Sequence, residues 1–238
     1  MDAQTKETDT PVSIEPRIAV VGIGGAGCNV ASSFYKALAP VDTIAINTDK
    51  KALEETAADK RIYICKAVTK GEGTKGDATL GHKCAQIHEE DIEKSIIGHD
   101  IVFLVAGLGG GTGTGAAAVV AEICHRNNIM TFMIAINPFS VETDRIPIAR
   151  KGLSEIRGKC PYTFVIENDK ILDLMPEATM NEAMRAVNRS IMGFVTDATA
   201  KIVSGMKDEI MSVQKTGTLK EITIKGMHRP QLVSGIKT

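Results

Sequence analysis

Gly107-Leu108-Gly109-Gly110-Gly111-Thr112-Gly113-Thr114-Gly115 places six glycines in nine residues. The apolar run Ile101-Val102-Phe103-Leu104-Val105-Ala106 precedes it, and a helical pattern over residues 116–126 follows. A buried strand, a length of backbone without side chains and then a helix start is the layout of an anion site. The first amides of a helix lack internal partners, and the helix dipole adds positive potential there. Glycine lets successive N–H groups converge on phosphate oxygens, and Thr112 and Thr114 add hydroxyl donors. A flexible turn is the plain alternative, but a turn of this length rarely needs so many glycines and a pair of threonines.

The same punctuation recurs along the chain. Arg17-Ile18-Ala19-Val20-Val21 is a short strand bounded by Gly22-Ile23-Gly24-Gly25-Ala26-Gly27-Cys28-Asn29, with a helix over 29–38. Taken alone, this G-x-G-x-x-G is a weak signal. A second strand over 43–46 ends in Asn47-Thr48-Asp49, a helix follows over 50–58, and a third strand covers 61–65. The polar, glycine-rich loop 69–77 leads into helical spacing over 78–97, interrupted near His88. A fifth strand over 129–136 stops at Asn137-Pro138, a helix covers 142–157 with Pro147 in its first turn or displacing its start, and a sixth strand covers 162–166. A short helix then runs from Asn168 to Met175.

Near-continuous apolar strands alternating with helices predict an α/β fold, a three-layer doubly wound parallel sheet of Rossmann-like type. Ligands in such sheets bind beyond the carboxyl ends of the strands, and every glycine loop above falls at such an end. One shared site is the simplest reading of that coincidence.

From Thr179 the pattern changes. Met180, Met184, Val187, Ile191, Phe194, Ala198, Ile202, Met206, Ile210 and Val213 recur in steps of three or four, which predicts a long terminal helix. Gly193 and Gly205 weaken it, with a break near Gly205 as the alternative. A turn at 215–218 and a half-buried strand at 219–224 follow. Residues 1–16 show no periodicity and read as a disordered lead-in, 17–204 as the main domain, and 205–238 as a helix extension with a short strand.

The net charge of −1 in 238 residues gives no footprint for nucleic acid or a membrane surface, and no apolar run reaches membrane-spanning length. The five cysteines (Cys28, Cys65, Cys84, Cys124, Cys160) contain no Cys-x-x-Cys and read as reduced, mostly buried thiols of a cytoplasmic protein. His82, Cys84 and His88 lie close together, but a zinc site would need further ligands that the sequence does not place nearby.

The glycine-threonine stretch after a strand resembles the phosphate-gripping loop of tubulin and its prokaryotic relative FtsZ, and the resemblance extends over about 17–204. Gly24, Gly25 and Asn29 fall in the segment that resembles the first phosphate loop of FtsZ. Asn47 and Asp49 fall in the one that resembles the second. Gly73, Thr74 and Lys75 resemble the loop over the terminal phosphate, and Gly109, Gly110, Gly111, Thr112 and Gly113 the tubulin-type glycine loop. Pro138 and Glu142 match the ribose-contacting segment. Asn168 matches the guanine-pairing asparagine, Met184 replaces the aromatic residue that covers the base, and Asn188 stands where FtsZ usually has aspartate. The resemblance implies GTP or GDP as ligand, accompanied by Mg²⁺. Amide groups at Asn168 and Asn188 match both donors and acceptors on the guanine edge; the alternative is a helix cap at Asn168 and a merely polar surface residue at Asn188.

The chain also departs from that pattern. Lys75 stands where the family has a small residue; it would favour a triphosphate, or else is a solvated loop lysine. Arg145 is out of step with the family arginine. The acidic loop Asn-x-Asp-x-x-Asp of FtsZ is replaced by Ser204-Gly205-Met206-Lys207-Asp208-Glu209-Ile210, and the sequence has no room for the family's second domain. The expectation is therefore a GTP-binding protein with slow or partner-dependent hydrolysis, acting in cytoskeletal or cell-division assembly. It would pair with itself or with another FtsZ-like protein through the segment from Met206 to Ile224. The alternative within the class is an active GTPase that self-assembles through a rearranged interface, and the alternative from another class is an NAD-dependent oxidoreductase, permitted by the first glycine loop and Asp49. A P-loop GTPase is excluded, because no G-x-x-x-x-G-K-S/T occurs.

Overall fold

Residues 15–38 and 41–216 are described by the computed structural model, with side chains described up to 208. Among them, six parallel strands form one sheet in the order β3-β2-β1-β4-β5-β6. The strands are β1 Ile18–Ile23, β2 Val41–Asn47, β3 Lys60–Tyr63, β4 Ile101–Gly107, β5 Met130–Asn137 and β6 Thr163–Glu167. The chain moves outward from β1 to one edge, returns to β4 beside β1, and then proceeds to the other edge. That reversal between β1 and β4 opens a crevice at the carboxyl ends, where doubly wound sheets bind ligands.

Strand alternation sends successive side chains to opposite layers. Ala19, Val21 and Ile23 of β1 face a core completed by α4 (Ala78–Ile87), α5 (Glu89–Ile96), α6 (Gly111–Arg126) and α7 (Arg145–Lys159). Ile18 and Val20 face the other core, with Phe34 of α1 (Gly24–Phe34) and Val187, Ile191 and Val195 of α9 (Met180–Thr216). Three short helices complete the fold: α2 (Lys50–Glu55), α3 (Lys66–Thr69) and α8 (Asn168–Leu174). The expected architecture and its terminal helix are both present.

Two helices begin earlier than their apolar periodicity predicts. α1 starts at Gly24 and α6 at Gly111, so glycines expected in open loops form first helical turns instead. The reason is packing. A Cβ at Gly115 would lie 2.0 Å from the carbonyl oxygen of Ala78 on α4, and one at Gly113 would lie 2.4 Å from that of Gly107. Much of the glycine run serves close backbone approach as well as any ligand.

α9 runs without a break through Gly205, about 55 Å at 1.5 Å per residue. It begins with a capping box: the Thr179 amide and hydroxyl donate to Glu182 at 2.8 and 2.7 Å, and the Glu182 amide donates back to the threonine hydroxyl. The predicted lead-in before Glu15 and the strand over 219–224 lie outside the described residues.

Cysteine usage also differs from expectation. Cys65 and Cys84 form a disulfide with Cα atoms 5.1 Å apart, while Cys28, Cys124 and Cys160 are free and buried. The pair is 19 positions apart in the sequence. Only the packing of α4 against the turn after β3 brings them together, which no local spacing announces. The bridge also removes Cys84 from any zinc set with His82 and His88.

Candidate nucleotide site

At the carboxyl ends of the strands lies a cavity of about 610 Å³. Its floor is made by two helix N-termini. Gly25 and Ala26 come from the first turn of α1, and Gly110 to Gly113 from the start of α6. Neither helix has a side-chain cap or an acidic residue in its first turn. α2 and α4 differ, since Asp49 accepts from the Ala52 amide at 2.9 Å and Asp77 from the Leu80 amide at 3.0 Å. The capped helices complete their own hydrogen bonding. The uncapped pair leaves amides and positive dipole ends turned toward one space, and an anion satisfies both.

Gly24 explains how two such ends come so close. Its φ is +69°, and a Cβ there would sit 2.7 Å from the Gly113 amide nitrogen. Only glycine allows the two turns to meet. Gly109, with φ of +86°, plays the same part toward α7, where a Cβ would fall 2.6 Å from that of Arg145. Neither residue lines the cavity, although both were predicted as ligand contacts; they bring its walls together.

Fourteen of the eighteen predicted residues do line it: Gly25, Asn47, Asp49, Gly73, Thr74, Lys75, Gly110, Gly111, Thr112, Gly113, Pro138, Glu142, Asn168 and Met184. The other two that do not, besides Gly24 and Gly109, are Asn29 and Asn188. Asn29 is exposed on the second turn of α1, and Asn188 lies one turn beyond Met184 on α9.

Hydroxyls join the loops at the β2 end. Thr48 Oγ1 and Thr112 Oγ1 are 2.6 Å apart, Thr74 Oγ1 is 3.4 Å from Thr112 Oγ1, and all three residues are buried. Thr48 was missed because only its neighbours in Asn47-Thr48-Asp49 were read as ligands. Asn47 Oδ1 accepts from the Thr48 and Asp49 amides, which leaves Nδ2 buried without a partner. At the opposite end, Asn168 Oδ1 is likewise buried and unpartnered. Unsatisfied buried polar atoms are costly, and these two border the cavity.

Three carboxylates (Asp49, Glu72, Glu142) and two cations (Lys75, Arg145) line the space. Each cation is already paired: Lys75 Nζ lies 2.6 Å from Glu72 Oε2, and Arg145 Nη1 lies 2.6 Å from Glu142 Oε1. Glu142 Oε2 also accepts from the Phe139 amide at 3.0 Å, which shapes the loop after β5. The hydrogen bond and charge of Lys75 hold the Glu72 carboxyl below its usual range. Beneath the floor, burial pushes the Cys28 thiol up to about 12, so it is an inert packing group.

Sequence reading passed over Ala26, Glu72, Leu108, Ile136, Asn137 and Met180, and set Arg145 aside, yet all line the cavity. Met180 carried a usable signal, being one turn before Met184 on the same helical face. The others carried none, since their place depends on how strand ends meet.

Comparison with known proteins decides the family. The GTPase domain of the tubulin/FtsZ family matches residues 17–176. The chain belongs to the tubulin/FtsZ family. It is 39% identical over 189 residues to cell division protein FtsZ 2 of Methanocaldococcus jannaschii, covering 79% of this chain and 50% of that protein. It is 38% identical over 173 residues to cell division protein FtsZ of Neisseria gonorrhoeae, covering 72% and 44%. The chain thus spans about half the length of the curated relatives it matches. Among solved structures, an empty FtsZ dimer from M. jannaschii superposes with a TM-score of 0.75 at 35% identity, over 79% of this chain and 55% of that one. CetZ2 from Haloferax volcanii, solved as a GTPγS-bound protofilament, gives 0.72 at 24% identity over 82% and 63%, a likeness of fold. The oxidoreductase alternative finds no support in these matches. No helix among the described residues is long and apolar enough to cross a membrane.

Proposed function

We propose that this chain is an FtsZ-type guanine-nucleotide-binding unit whose cavity takes GTP or GDP. The observation that carries the reading is the pair of uncapped helix N-termini sharing a cavity with two orphaned asparagine groups. Asn168 Oδ1 is an acceptor in need of a donor, and the guanine edge offers N1–H and an amino group. Asn47 Nδ2 is a donor in need of an acceptor, as a phosphate oxygen is. The strand order separates them suitably. β6, which ends at Glu167 just before Asn168, and β2, which ends at Asn47, are four strand spacings apart, about 19 Å at ~4.8 Å each. An extended nucleoside triphosphate is of that length.

The Asp49 carboxylate and the threonine hydroxyls are hard oxygen donors of the kind Mg²⁺ accepts beside phosphate. Bound there, the ion would neutralise polyphosphate charge in a lining that carries more carboxylates than cations. Hydrolysis is slow, or needs groups from a partner. The stretch that stands in for the acidic loop of FtsZ, residues 204–210, lies inside α9 and lacks that loop's motif. The unit acts as a nucleotide-dependent assembly or regulatory factor in the cytoplasm, pairing with a second copy or another FtsZ-like protein through the segment from Met206 to Ile224. Exposed apolar groups are present on α9 and the sheet edge: Phe194 of α9 and Phe164 of the edge strand β6 are 36% and 41% exposed, their tilted rings 4.7 Å apart.

The direct test is to denature the purified protein and identify released nucleotide by chromatography, then titrate nucleotide-free protein with GDP, GTPγS and ATP. Guanine nucleotide binding with ATP rejected is the expected result. NAD, or no nucleotide at all, would overturn it.

A further inference from the structure

We propose that Glu72 and Lys75 form a charge latch at the β2 end of the cavity: Glu72 holds Lys75 until the terminal phosphate of a triphosphate takes it. The pair thereby sets the preference for triphosphate over diphosphate. The inference rests on the guanine-nucleotide reading above and deepens it.

Position comes first. The loop carrying both residues is tied to the end of β2 by an isolated bridge between Asp49 and Glu72 and by the Lys50 amide donating to the Gly71 carbonyl at 3.1 Å. Lys75 therefore stands at the far end of the cavity from Asn168. With the base at β6, a diphosphate ends short of the loop and a triphosphate reaches it. The other lining cation, Arg145, begins α7, packs on Gly109 and is paired with Glu142.

Backbone and side chain then divide the work. Lys75 has φ of +49°, in the left-handed region that glycine favours, between Gly73 at +72° and Gly76 at +88°. Lys75 lines the cavity, unlike Lys36 and Lys70, which share a positive φ. Thr74, buried beside it, faces Thr112 of α6, so the loop is pinned to the helix start that forms the floor. The lysine side chain itself is 72% exposed and that of Glu72 66% exposed. An ion pair so open to water contributes little, whereas a phosphate held against helix amides carries more charge and more acceptors. Displacement of Glu72 by phosphate is accordingly downhill. With a diphosphate bound, the latch stays shut and Glu72 keeps a carboxylate at that end of the cavity.

Calorimetric titration of the nucleotide-free protein with GTPγS and with GDP, at low salt with Mg²⁺, tests the latch. Lys75→Ala should weaken GTPγS roughly tenfold or more and leave GDP unchanged. Lys75→Gly, which suits the positive φ, should do the same, so loop strain is not the cause. Glu72→Gln should tighten GTPγS by about two- to fivefold with GDP unchanged, and that gain should vanish in the Glu72→Gln/Lys75→Gly double variant. Equal losses for both nucleotides in Lys75→Gly, or no gain in Glu72→Gln, would overturn the latch while leaving guanine-nucleotide binding intact. Wild-type protein that binds neither nucleotide would overturn both.

Discussion

Replacing Gly115 with alanine should destabilise the protein, although alanine is the better helix former. Gly115 lies in the fifth position of α6, facing α4. The added methyl would sit 2.0 Å from the Ala78 carbonyl oxygen, 2.5 Å from the His82 amide nitrogen and 2.9 Å from the Gly81 carbonyl carbon. All three are backbone atoms, so no rotamer change relieves the contact. α4 must retreat by more than an ångström, and it carries the fully buried Cys84 and Ala85 against Ala116, Ala117 and Val120. Overpacking of this kind costs ~1–3 kcal/mol, and rigid backbone on both sides places this site near the top of that range. The alanine returns ~1 kcal/mol in helix propensity. A net loss of about 2 kcal/mol remains, a fall in Tm of roughly 4–8 °C for a domain of this size. Gly193→Ala in α9 is the matched control, because nothing lies within 4 Å of its Cβ position. It should raise stability by about 0.5–1 kcal/mol. Urea unfolding followed by far-UV circular dichroism reads both. A Gly115→Ala midpoint at or above wild type would refute the claim that glycine is there for helix packing.

Asn168→Ala should weaken GTP and GDP by a similar factor, about tenfold, because the base is common to both; a loss confined to one nucleotide would place Asn168 elsewhere. Protein denatured without reductant should show three titratable thiols, rising to five after reduction, if Cys65 and Cys84 are bridged. Removing the bridge by Cys65→Ala/Cys84→Ala should cost about 3 kcal/mol in urea unfolding, the expectation for a loop of that length. Burial raises the Cys28 and Cys124 thiols from 9.0 to about 12. Their folded-state values lie above the unfolded ones, so their contribution is intact below pH 9 and is lost as pH rises from there toward 12. Urea midpoints measured from pH 8 to 10.5 should fall, and fall less steeply in Cys124→Ala.

The fold was readable because its signals are local. A parallel strand buried on both faces must be apolar throughout, and a helix covering one face must repeat at three to four residues. Those two periods alternate from Ile18 to Glu167, and the interruption near His88 marks the boundary between α4 and α5. The site was readable in outline for a related reason. Strand ends and glycine runs are marked in the chain, and in a parallel sheet all such ends meet on one side.

What stayed hidden depended on distances between segments far apart in sequence. The glycines of 107–115 look equivalent in one dimension. Yet Gly110 to Gly113 border the cavity, Gly115 admits α4, and Gly109 admits α7. The partners of Lys75 and Glu142 and the bridging of Cys65 to Cys84 likewise had no one-dimensional mark.

The sequence alone determined that this chain makes a parallel α/β sheet with phosphate-type loops at one edge, because hydrophobic period and glycine placement act within a few residues. Tertiary structure alone decided which glycines face the ligand space and which face a neighbouring helix, and which carboxylate meets each cation. Backbone approach and charge pairing are set by packing across the whole sheet.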